Sequence, residues 1–163
     1  FLAFALDAIA IAAQAITGRY LGAGDREGTR TITRRMVRWG VLSGVVTGAV
    51  LAVTSPVLGP LFTPDQPVRD LLVPVLLVAA LAQPLAGVVF VLDGVLIGAG
   101  DGRYLAWVGL LVLVVFAPAA WLAVSAGGTL VWLWVAFCVA FMGGRGVVLV
   151  TRAAGSAWMR LGA

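Results

Sequence analysis

The chain has 163 residues, of which 62% are apolar and only 11% charged, with a mean hydropathy of +1.09. One soluble core cannot hide that much apolar side chain, and the apolar residues come in runs of about 20 or more, the length that crosses a bilayer as a helix. With eleven Arg, no Lys, no His and one Cys, an intramolecular disulfide is excluded and no zinc or haem site is expected; the net charge of +4 reads as membrane flanks rather than a nucleic-acid surface, so no nucleic-acid partner is expected.

Five spans follow in chain order. The first runs from Phe1 to about Tyr20, the second from about Met36 to Phe62 and the third from about Val68 to Ile97. The fourth is Tyr104–Ala126 and the fifth Thr129–Thr151. They are too long and too continuous for barrel strands of about 10 alternating residues, so the fold class is an all-α polytopic membrane bundle. The chain begins with Phe in mid-span, without a charged leader, and is expected to be a piece of a longer protein.

The first span ends in "LGAGD" (residues 21–25) and the third in "IGAGD" (97–101). A dinucleotide fingerprint would need a third glycine where Glu27 and Arg103 stand, and a P-loop would need Lys. The strings are instead helix punctuation. Gly24 and Gly100 end one helix, and Asp25 and Asp101 cap the next. Asp25 is expected to cap a short Arg-rich segment lying on the membrane surface, and Asp101 to cap span four.

Arg19, Arg26, Arg30, Arg34, Arg35 and Arg38 follow span one, Arg103 follows span three, and Arg145, Arg152 and Arg160 mark the tail. The intervening loops, "TPDQPVRD" and "SAGG", are poor in Arg. The positive-inside rule then places the first and third loops and the C-terminus in the cytoplasm. Trp39, Tyr104, Trp107, Trp132 and Trp158 fall near span ends, where amphipathic rings favour headgroups; Trp121 and Trp134 fit this less well. Arg69 and Asp70 read as interface residues.

Span two carries Gly40, Gly44 and Gly48, a smooth strip for close helix packing. Span three, at about 45 Å, exceeds the roughly 30 Å of hydrocarbon and contains Pro74 and Pro84, which are expected to kink it. Few polar groups lie within the spans. Asp7 and Gln14, seven residues apart, share a face of span one; Gln83 and Asp93 lie roughly 80° apart around span three. An acid at bilayer depth marks a functional site by default, so these four are the candidate cavity-lining or cation-pathway residues. Asp93 either lines a cavity or pairs structurally, with Arg145 as the partner. Asp7 either lines the cavity or is a shallow solvated acid. Arg145 is expected to snorkel, and Cys138 to pack as a small apolar residue. No catalytic constellation appears, so no enzyme is expected.

The stretches "ALDAIAIAAQAITGRYLGAGD", "GTRTITRRMVRWG", "FVLDGVLIGAGDGRYLAW" and "LFTPD" resemble the multidrug and toxic compound extrusion (MATE) family, and the last two its DNA-damage-inducible protein F (DinF-like) branch. The resemblance implies helices eight to twelve of a twelve-helix transporter. Residues 1–163 would then be a partial C-terminal lobe that pairs with an N-terminal lobe of the same protein. It further implies export of cationic or amphipathic small molecules by alternating access in a bacterial cell membrane. No cofactor is implied; the coupling ion would be a proton or sodium, and the partners are substrate, membrane lipid and the other lobe. Two alternatives stand beside this: a flippase of lipid-linked precursors from the same superfamily, and a non-transporting five-span membrane subunit. The flippase would be expected to show a more cationic cavity than spans holding only Arg145.

Overall fold

The computed structural model describes residues 2–159; Phe1 and Arg160 lie outside them. Five helices follow one another: α1 (Leu2–Gly22), α2 (Arg26–Phe62), α3 (Gln66–Gly98), α4 (Gly102–Ser125) and α5 (Leu130–Ala154). Among the described residues there is no strand. Helices α2 to α5 are each long and apolar enough to cross a membrane. Helix α1, of 21 residues, is about 31 Å long but carries Asp7, Gln14 and Arg19.

The two GAGD strings build the same turn. Gly24 (φ +75°) and Gly100 (φ +73°) take the left-handed conformation that costs glycine least. In the first copy the N–H of Gly24 donates to the Leu21 carbonyl and that of Asp25 to the Tyr20 carbonyl. In the second, Gly100 donates to Ile97 and Asp101 to Leu96. These crossed bonds satisfy the last carbonyls of α1 and α3. The carboxylate of Asp25 then accepts from the Gly28 N–H at 2.7 Å.

What Asp25 caps differs from expectation. The Arg-rich stretch is not a separate surface segment; it is the opening of α2, which runs for 37 residues without a break, about 55 Å. Hydropathy falls in this stretch, yet arginine is a good helix former and nothing between Thr29 and Trp39 interrupts the helix.

Helix α3 is central and packs against all four others. Against α2 the contact is backbone to backbone. A Cβ on Gly40 would sit 2.6 Å from the Gly87 carbonyl oxygen, and one on Gly44 would collide with that of Gln83. A Cβ on Gly48 would sit 2.5 Å from the Ala80 oxygen. Ala80 is four residues before Pro84, which has no N–H to give it, so the freed carbonyl is covered by the glycine face of α2. Helix α3 is helical through both Pro74 and Pro84.

The buried core gathers where the C-terminal halves of α1, α3 and α5 meet the start of α2; Leu21, Met36, Leu92, Leu96 and Leu149 belong to it. Trp158 belongs there too, at 1% exposure, its indole N–H shared between the Ala153 and Gly155 carbonyls. It therefore folds back against the bundle and packs as a core residue. Trp39, Trp107 and Trp132 are exposed. Outward faces are apolar, with Val53, Leu61 and Leu81 more than three-quarters exposed, a surface suited to lipid.

Helix α5 holds a feature that no residue pattern announced. Phe137–Gly143 is a π-helical segment inside it. Phe137 and Phe141 stack at 5.1 Å, and Phe116 of α4 meets both edge-on. Cys138 lies in this segment, half-buried.

Candidate transport site

Helices α1 and α3 cross closely because α3 presents glycine to α1. A Cβ on Gly94 would collide with the Ala10 carbonyl, and one on Gly98 with that of Gln14. This approach brings Asp7 and Gln14 of α1 to the same pocket as Asp93 of α3. The pocket has a volume of about 220 Å³ and is completed by Ile11, Phe90 and Ile97. Asp7 and Gln14 are exposed at its rim, while Asp93 is partly buried.

Asp93 is held by Arg145 of α5 in a two-pronged ion pair. Nε donates to Oδ2 at 2.9 Å and Nη2 to Oδ1 at 2.8 Å. Side-chain exposures of 19% and 22% leave both charges poorly hydrated, so each depends on the other. Arg145 therefore does not snorkel to the interface. Its position two residues past the π-helical segment puts its guanidinium on the face of α5 that meets α3, and a carboxylate at hydrogen-bond distance is a better partner than a distant headgroup.

Asp101 also departs from expectation. It makes no side-chain cap to α4. Its carboxylate accepts from Arg152 Nε at 2.8 Å, a charged bond that outcompetes a neutral backbone donor. The Arg152 guanidinium lies 4.5 Å from the centre of the Tyr104 ring, and the Tyr104 hydroxyl donates to the Val148 carbonyl. Together they fasten the α3–α4 turn to the end of α5.

Gln83 does not join Asp93. It lies where α2 crosses α3, beside Gly44 and Gly48, and among the described residues its buried Oε1 finds no donor. Arg69 donates to the Thr63 carbonyl, and Asp70 accepts from Gln66, at the opposite end of the bundle.

The MatE family model matches residues 1–122, from α1 through most of α4. The chain belongs to the MatE family. Members of this family are transporters rather than enzymes, and the chain is a MATE-type transporter protein with several membrane-crossing helices. Neither curated proteins nor solved structures give a match. Asp7, Gln14 and Asp93 fall within the matched part of this MatE chain; Arg145 and Arg152 lie beyond it.

Proposed function

We propose that this chain is most of the C-terminal lobe of a cation-coupled exporter of the DinF-like kind, carrying cationic or amphipathic compounds by alternating access. The observation that carries the reading is the Asp93–Arg145 pair at the pocket shared with Asp7 and Gln14. A proton, a sodium ion or a cationic substrate that binds this carboxylate competes with the guanidinium already on it and weakens its hold. Cations that compete for one carboxylate exclude each other, and mutual exclusion is the logic of exchange. Release of Arg145 removes the ion pair between α5 and α3 beside the π-helical segment, a type of irregularity found often at functional sites. The rest of the cavity wall would come from an N-terminal lobe facing the exposed side of α1.

Two acids and one already neutralised arginine favour cationic cargo over the anionic lipid-linked precursors of a flippase. The end of the bundle that holds Arg30, Arg34, Arg103 and Arg152 faces the cytoplasm on the positive-inside rule, with the C-terminus on that side of a bacterial cell membrane.

The test is dye accumulation in cells making the full polypeptide. Cells with the native protein hold less of a cationic dye than cells without it. Asp93→Asn raises accumulation towards that of empty cells at equal membrane expression. Undiminished efflux by that variant removes Asp93 from the mechanism.

A further inference from the structure

A second pocket, of about 500 Å³, lies away from the Asp93 site, between the opening turns of α2 and the end of α5. Arg30, Arg34 and Arg38 line it, at i, i+4 and i+8 on one face of α2, with Val37, Val150 and Trp158 as its apolar part. No acid lines it. Among the described residues, the two ion pairs engage Arg145 and Arg152, and none engages these three arginines.

The arginines also lie at a depth that suits a lipid headgroup. From Arg38 to Phe62 α2 measures about 36 Å, enough to cross the roughly 30 Å of hydrocarbon. Arg38 then stands at about the level of lipid phosphates, and Arg34 and Arg30 follow on the next two turns, within side-chain reach of that level. Aligned guanidiniums above an apolar wall match a molecule with a phosphate at one end and hydrocarbon at the other. Arginine is suited to phosphate because its planar fork gives paired hydrogen bonds. Trp158 is fixed by its two carbonyl bonds, so this part of the pocket is formed in advance.

The geometry points to a binding site for one anionic phospholipid, its phosphate held by Arg30, Arg34 and Arg38 and the upper part of its tails against Val37 and Val150. This ligand is a resident lipid that fastens the start of α2 to the end of α5, separate from any transported compound.

The experiment measures binding of fluorescent phosphatidylglycerol to the full polypeptide in detergent at fixed salt. Removing a charge near a lipid surface costs about five-fold, so Arg30→Gln, Arg34→Gln and Arg38→Gln together weaken binding about 100-fold. Arg26→Gln, Arg35→Gln and Arg103→Gln, which remove the same charge from exposed residues outside the pocket, change it less than about five-fold. Val150→Trp keeps every charge, fills the pocket and also weakens binding. Equal losses in the two triple variants, or unchanged binding in Val150→Trp, overturn the site. Displacement by inorganic phosphate as effective as by phosphatidylglycerol makes it a soluble-anion site and overturns the lipid assignment. Native protein that binds no phosphatidylglycerol overturns it too, and points to an acidic protein segment as occupant.

Discussion

Breaking the Asp93–Arg145 pair separates a stored electrostatic contact from a merely adjacent pair of residues. Two unit charges about 4 Å apart interact by about 4 kcal/mol at an effective dielectric near 20. The side chains keep 19% and 22% exposure, so water screens part of this, and a coupling of about 1–3 kcal/mol is expected. Asp93→Asn strands the Arg145 guanidinium and Arg145→Gln strands the Asp93 carboxylate, so each single variant costs about 2–3 kcal/mol. The double variant leaves no stranded charge and costs clearly less than the sum. Reversible unfolding of the purified protein in mixed micelles with rising dodecyl sulfate reads all four forms of the cycle. Single effects that add to within about 0.5 kcal/mol refute the coupling and, with it, the exchange logic built on this pair.

Further outcomes follow from the packing and the turns. Gly44→Ala places a methyl group on the Gln83–Pro84 backbone, which cannot step aside, and destabilises by about 1–3 kcal/mol. Gly144→Ala, in α5 with nothing within 4 Å of the added carbon, is neutral or stabilises by up to about 1 kcal/mol; the same unfolding assay compares the two, and equal effects contradict the close α2–α3 crossing. Asp25→Ala removes the cap on Gly28 and costs about 1 kcal/mol, seen as faster amide exchange in the first turn of α2; unchanged exchange there refutes the capping role. On the two-lobe proposal, in which the chain supplies one wall of the cavity, the 163-residue chain alone in vesicles exports no dye; export by it refutes that proposal.

Much of the architecture was legible because membrane helices write themselves in hydropathy. Spans three and four begin and end within about three residues of α3 and α4, and both GAGD turns have the glycine geometry their sequence implies. The seven-residue spacing of Asp7 and Gln14 set them on one face, and they do line one pocket. Other features were hidden for particular physical reasons. Hydropathy records where polarity changes, not where a helix stops, so it cut α2 at Met36 although the Asp25 cap and a stretch without proline begin it ten residues earlier. The sequence offers pairing with Arg145 as one of two readings for Asp93, and the pair does form; its 52-residue separation is beyond the reach of local periodicity, which does not choose between pairing and a free cavity acid. Asp101 has both a capping position and a distant arginine, and only three-dimensional proximity decides between them. Trp158 has the composition of an interface residue but the burial of a core one. The π-helical segment packs against α3 and α4, and "FCVAFMG" has no residue that demands it.

The most direct test of the account is coupled transport in proteoliposomes containing the full polypeptide. An imposed proton or sodium gradient should drive a cationic dye against its own gradient, and dissipating the ion gradient should stop it. Asp93→Asn, inserted and folded, should lose that coupling. Dye movement that ignores both ion gradients, or full coupling retained in Asp93→Asn, contradicts the account.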